Sequence, residues 1–239
     1  MNKKHFWNWR EGAGDGAPRE LIIDGPIAES SWFDDEITPE TFRRELNAAD
    51  GDVVIWLNSP GGDCFAASRI YTMLREYPGS VTVKIDGMAA SAATVLAMGA
   101  NRVLMSPTSS FFIHNPYTCT GGEAEQMRQA AQMLDEVKES IMNAYQFKTG
   151  LSRARISHLM DNSTMMNPRM ALELGFIDGI LYDDGQDRPE DRAFEYSISA
   201  PMNCLKEYLK RHAHDAPRDG ASGGATRLEL SNRLMKIMN

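Results

Sequence analysis

Short, nearly unbroken apolar runs alternate along this chain with stretches in which apolar side chains recur every three or four positions. The runs are Leu21–Ile23, Val53–Leu57, Val81–Ile85, Arg102–Met105, Ser110–His114 and Ile177–Leu181. Each reads as a strand, and the continuity of Val53–Leu57 predicts burial on both faces, as in a largely parallel sheet. Turn residues close them, Asp24-Gly25-Pro26 after the first and Asp86-Gly87 after the third. Between them lie helical patterns. Thr38-Pro39 is a helix-start signal before Phe42, Leu46 and Ala49, and Ala66, Ile70, Met73 and Leu74 share one helical face. Ser91–Gly99 is a helix of small residues, Ser152–Met160 another helix, and Pro168–Leu174 a third, ended by Gly175. The longest pattern runs from Glu123 to Phe147, with Met127, Ala131, Leu134, Ile141 and Tyr145 on one side. At 1.5 Å per residue it reaches roughly 35–40 Å, more than one small sheet needs; the stripe either faces the core, the commoner use of such a period, or its excess serves a subunit contact. Strand–helix alternation of this kind predicts an α/β fold with a largely parallel sheet.

The periodic region bounds the organisation. Residues 1–19 carry Trp7 and Trp9 among charges without a period and are expected to form a flexible arm. Residues 20–183 form the folded domain, and 184–239 a charged linker and carboxyl-terminal extension. Within the latter, Pro201–His212 and a stretch through Leu228, Leu234 and Ile237 are helical candidates, while Asp183–Arg192 and Gly220–Gly224 are expected to be exposed to cleavage.

Composition narrows the class. With 42% hydrophobic residues among 239, the chain has the means for one ordinary core and is not a disordered polymer. A net charge of −8 disfavours a nucleic-acid partner. The three cysteines, Cys64, Cys119 and Cys204, form neither a disulfide framework nor a metal-ligand spacing. The start of the chain has no apolar secretory segment, and Met88–Ala100 is short for a membrane span and broken by Ser and Thr. The expectation is a soluble, cytoplasmic protein without metal, cofactor or membrane contact.

Three segments at strand ends carry candidate chemistry, the place where open α/β sheets bind ligands. Asn58-Ser59-Pro60-Gly61-Gly62 follows a buried strand; its glycines let backbone approach a ligand and leave N–H groups for an oxyanion, or form an ordinary turn. In Gly87-Met88-Ala89-Ala90-Ser91-Ala92-Ala93-Thr94 one serine stands at a strand-to-helix junction among residues with almost no side chain. It is either a nucleophile at a helix start or a helix cap. The segment is not the G-x-S-x-G elbow of the α/β-hydrolases. In Phe111-Phe112-Ile113-His114-Asn115-Pro116, His114 ends an apolar strand, as a satisfied core residue or as a base able to take the serine proton.

Taken in this order, and with Ala171-Leu172-Glu173-Leu174-Gly175-Phe176-Ile177-Asp178, these segments resemble the Clp protease proteolytic subunit, especially its phage and prophage relatives. The resemblance spans about Leu21 to Leu181. It implies the ClpP/crotonase-like spiral of ββα units, with the long helix as the handle where rings meet. It implies a ring-forming serine endopeptidase, hexameric or heptameric and stacked or single, acting on polypeptides. Ser91 is then the nucleophile, His114 the general base, and the backbone N–H groups of Gly62 and Ala92 the oxyanion hole. The family's acid falls on Ser163, which cannot balance an imidazolium; Asp161, two residues away, is the expected substitute, and Asn162 could only orient the ring. The short amino-terminal arm and the charged extension favour a phage head-maturation role, on capsid proteins, over degradation coupled to an AAA+ unfoldase. Two other readings remain. One is a structural ring protein of little or no activity, motivated by Ser163. The other is a crotonase-like acyl-CoA enzyme, against which stands the absence of an acidic pair near the glycines.

Overall fold

In the computed structural model, residues 7–10, 17–27 and 39–183 are described. Thr38, Cys204, the linker 184–192, the helical candidates Pro201–His212 and 228–237, and Gly220–Gly224 lie outside them. Eight strands and six helices follow in the order β1 (Trp7–Arg10), β2 (Arg19–Asp24), α1 (Pro39–Leu46), β3 (Val53–Ser59), α2 (Cys64–Glu76), β4 (Val81–Ala90) and α3 (Ala92–Ala97). They continue as β5 (Arg102–Met105), β6 (Ser110–Ile113), α4 (Ala124–Thr149), α5 (Arg153–Asp161), β7 (Thr164–Met166), α6 (Pro168–Glu173) and β8 (Gly179–Ile180). The α/β expectation holds: β2, β3, β4, β5 and β8 are parallel neighbours in that order.

The strands are not buried equally on both faces. Val53, Ile55 and Leu57 of β3 and Val81, Val83 and Ile85 of β4 are sealed beneath the helices, while Val54, Trp56, Thr82 and Lys84 between them are half-buried. Among the described residues, one face of these strands is sealed and the other is partly open. On that open face, the Lys84 ammonium lies 4.7 Å over the Trp56 ring, which explains how an unbroken apolar run tolerates partial exposure.

Asp86-Gly87 does not end a strand. β4 passes through it with a register shift, since Leu57 pairs Ile85 while Ser59 pairs Ala89. Gly87 permits the shift because a Cβ there would stand 2.5 Å from Asn58 Oδ1, the atom that accepts from Met88 N–H. The bulge divides β4. Its first half pairs β5 and its second half, Met88–Ala90, pairs β6 in parallel, which leaves Ser91 at the free end.

Trp7–Arg10 is a strand and no free arm, antiparallel to β2. Trp7 is only 3% exposed and meets Phe42 edge-on at 5.1 Å. The indole N–H groups of Trp7 and Trp9 both donate to Glu45 Oε2, at 2.8 and 3.0 Å. Alternation of Trp with polar residues puts both rings on one face, where α1 receives them.

Helix α4 has a capping box between Glu123 and Gln126 and ends at Gly150 in the left-handed region. Its buried side chains are Ile141, Met142, Ala144 and Tyr145, all toward its carboxyl end. Among the described residues no helix is long and apolar enough to cross a membrane.

Candidate active site

Ser91 occupies the junction of β4 and α3 with φ 54° and ψ −128°, a backbone conformation that costs a residue with a Cβ on the order of 1–3 kcal/mol. Contacts on both sides enforce it. The Ser91 N–H donates to Phe112 O at 2.9 Å, and the Ser91 carbonyl accepts from Thr94 N–H at 2.9 Å and from Thr94 Oγ1 at 2.5 Å. By position it is the N-cap residue of α3, but its hydroxyl makes no cap bond to the helix. Ala89, Ala90, Ala92 and Ala93 around it are fully or almost fully buried, and their small size lets the loop after β3 close in.

That loop is held against Ser91 by its glycines. A Cβ at Gly61, with φ +95°, would stand 2.6 Å from Ala90 O, 2.7 Å from Ser91 Cβ and 3.0 Å from Ala92 N. At Gly62, with φ +144°, a Cβ would collide with the Ile27 carbonyl. Gly62 forms a parallel bridge with Ile27 through Ile27 N–H to Gly61 O (2.8 Å) and Asp63 N–H to Ile27 O (2.9 Å). In such a bridge the N–H of the bridged residue points the other way, here toward the β4 side of the strand. Ala92 is the first residue of α3, where an N–H has no helical acceptor. Among the described residues neither N–H donates to another protein group. Two such donors beside a hydroxyl can hold the oxyanion of a tetrahedral intermediate. Asp63 is occupied as the cap of α2, accepting from Phe65 N–H and Ala66 N–H.

His114 follows β6 directly. Strand pairing sets Ala90 against Phe112, so the Ser91 and His114 segments are neighbours at the ends of adjacent strands. The imidazole stacks on Phe112 at 5.3 Å and is tilted against Tyr117 at 5.8 Å. Its Nδ1 lies 2.6 Å from the Asn115 carbonyl oxygen. A carbonyl only accepts, so Nδ1 carries the proton and Nε2 keeps the lone pair a base needs. Burial pushes the His114 pKa below the ordinary histidine value, partly offset by that carbonyl. No hydrogen bond joins Ser91 to the ring among the described residues; free enzymes often leave this contact open until substrate arrives.

Asp161 does not meet His114. Its carboxylate accepts from Lys138 Nζ at 2.6 Å, Asn115 Nδ2 at 2.8 Å and Ser157 Oγ at 3.2 Å, at the exposed end of α5. The bond from Lys138, then that from Asn115, holds its pKa below the usual carboxylate range. The expectation of direct contact with the imidazole is therefore corrected: Lys138, far away in sequence on α4, captures the carboxylate. The antiparallel register of β6 and β7 runs from Phe111 with Met166 to Ile113 with Thr164, so His114 and Ser163 are the next residues beyond its end. Ser163 has φ 47°, at the turn into β7. Sequence reasoning missed Asn115, whose main-chain carbonyl fixes the imidazole and whose amide ties it to Asp161.

Cys64, two residues past Gly62, is no rival nucleophile, since burial, with Asp63 adding to it, pushes its pKa up to about 12.

Comparison with known proteins covers the same region. The family model described as Clp protease matches residues 19–184. The proteolytic subunit 1 of the ATP-dependent Clp protease of Chlamydia muridarum is 30% identical over 169 residues, covering 69% of this chain and 86% of its own. The corresponding subunit of Mesostigma viride is 32% identical over 140 residues, covering 57% and 61%. A solved ClpP1 mutant from Listeria monocytogenes superposes with a TM-score of 0.58 at 22% identity, covering 69% of this chain and 91% of its own.

Proposed function

This chain belongs to the Clp protease family of serine peptidases, and we propose that it hydrolyses peptide bonds with Ser91 as nucleophile and His114 as general base. One observation carries the assignment: Ser91 is held in a strained turn with its hydroxyl uncommitted, in contact with Gly61 and beside the unpaired N–H groups of Gly62 and Ala92. His114 Nε2 takes the hydroxyl proton as Oγ attacks the scissile carbonyl. Gly62 N–H and Ala92 N–H receive the oxyanion. The imidazolium then protonates the leaving amine, and water releases the acyl group by the same steps in reverse.

The acid is where this site departs from a full triad. The Asn115 carbonyl performs the tautomer-fixing part of the acid's task, and Asp161 contributes only by anchoring the Asn115 side chain. Among the described residues no carboxylate is hydrogen-bonded to the imidazole, so turnover is slow beside that of a full triad. The same deficit supports a second reading, a ring component without turnover. Purified protein that cleaves unfolded casein, with the cleavage lost in Ser91→Ala and in His114→Ala, decides for the enzyme. Casein left intact by the wild type decides for the structural ring.

We assign the working form to a homo-oligomeric ring, because the amino-terminal half of α4 carries Met127 and Leu134 only half-buried in the single chain. We further assign the substrates to exposed polypeptide segments, capsid proteins of an assembling phage head among them, with no obligatory AAA+ unfoldase. The residues beyond the matched region, rich in charge from Asp187 to Arg192, support a specialised substrate. Cleavage of capsid protein without ATP tests this; cleavage only with an unfoldase and ATP overturns it.

A further inference from the structure

A buried chain of hydroxyl groups runs from α4 to the back of Ser91. Tyr145 OH lies 2.6 Å from Thr94 Oγ1, and Thr94 Oγ1 lies 2.5 Å from the Ser91 carbonyl oxygen, which also accepts from Thr94 N–H at 2.9 Å. The order of donation follows from valence. The Ser91 carbonyl only accepts, so Thr94 gives its single hydroxyl proton there, and Tyr145 must donate to Thr94. Tyr145 is 1% exposed and Thr94 is fully buried. Burial drives the Tyr145 pKa upward, so its hydroxyl keeps the proton.

What this chain holds is a particular peptide plane. The Ser91 carbonyl and the Ala92 N–H belong to one trans peptide group, whose C=O and N–H point in opposite directions. Fixing the carbonyl toward Thr94 therefore aims the Ala92 N–H away from it, out of the turn. We propose that Thr94 and Tyr145 are positioning residues that aim the Ala92 N–H at the developing oxyanion, an inference that rests on Ser91 being the nucleophile. The Tyr145 ring also meets Phe176 edge-on at 5.5 Å, and Phe176 packs on Phe111 of β6 at 5.4 Å, the strand that delivers His114. One side chain of α4 thus braces the segments of both Ser91 and His114.

The test compares Tyr145→Phe, Thr94→Val, Thr94→Ser and the double variant Tyr145→Phe/Thr94→Val by steady-state kinetics on an unstructured peptide, with thermal melting alongside. Tyr145→Phe keeps the ring and loses only the donor. It should lower kcat by about tenfold with KM within about twofold, because a donor aimed at the transition state leaves substrate binding alone. Thr94→Val should lose more, about 10²-fold, approaching the loss of the oxyanion donor itself. The double variant should be no worse than Thr94→Val, since both act through one carbonyl. Thr94→Ser, which keeps the hydroxyl, should recover most of the rate. A wild-type kcat in Tyr145→Phe, losses that multiply in the double variant, or melting shifts without a change in kcat would overturn the proposal. Ser91→Ala in the same series separates the two levels. Activity surviving in it removes the nucleophile assignment and this inference together, whereas activity lost in it but unaffected by Tyr145→Phe removes this inference alone.

Discussion

A base that works from a half-buried position must release its proton easily, and His114 is placed to do so. Its burial among Phe112, Tyr117 and the strand ends favours the neutral ring, which is also the form that accepts the serine proton. Activity should therefore persist below the pH at which an exposed histidine protonates, and kcat/KM should fall only as pH drops through a midpoint under the ordinary histidine value. A midpoint above that value in a pH–rate profile would contradict the geometry. The third position gives a sharper contrast. Asp161→Asn should cost less than about tenfold in kcat, where loss of a true triad acid costs about 10⁴. Ser163→Asp, just beyond the β6–β7 pairing as His114 is, should raise kcat and shift the midpoint upward, because a nearby carboxylate favours the imidazolium. A 10⁴-fold loss in Asp161→Asn would restore Asp161 as the acid. The places of Ser91, His114 and the diglycine at strand ends were legible in the sequence, while the roles proposed for them rest on the family resemblance. The fate of Asp161 was not, since Lys138, on a different helix, takes its carboxylate.

Among the elements, the ones that escaped sequence reading are those whose partners supply all the order. β1 is four residues long and β7 three, too short for a period to stand out. Each exists because a neighbour receives it: α1 takes the Trp7 ring and both indole N–H groups, and β6 takes β7 beside the site. Trp7→Ala should lower unfolding stability by about 3–5 kcal/mol in a chemical denaturation series, as for a fully packed aromatic. A change below about 1 kcal/mol would mean that β1 contributes little to the core. The bulge at Asp86-Gly87 teaches the same lesson in reverse, because turn residues sit inside a strand that needs them to change partners from β5 to β6. Without that change of partner Ser91 would not emerge beside His114.

On the scale of the whole molecule, the α/β class, the parallel sheet and the long helix were readable from periodicity, because each apolar run and each helical stripe is long enough to show its period. Which part of α4 packs on its own domain was not readable, since Met127, Leu134 and Ile141 look alike in sequence, yet only Ile141 is buried. If the proposed ring uses the remaining half, Leu134→Glu should convert the assembly to smaller species in native mass spectrometry while leaving the folded chain intact. An unchanged assembly would place the contact elsewhere. The reading of the entire molecule depends on Ser91, and intact-mass analysis after reaction with a fluorophosphonate examines it most directly. A single adduct is expected on the wild-type chain, mapped to Ser91 and absent from Ser91→Ala; a wild-type chain that stays unmodified, or an adduct that persists in the variant, would rule out Ser91 as the nucleophile.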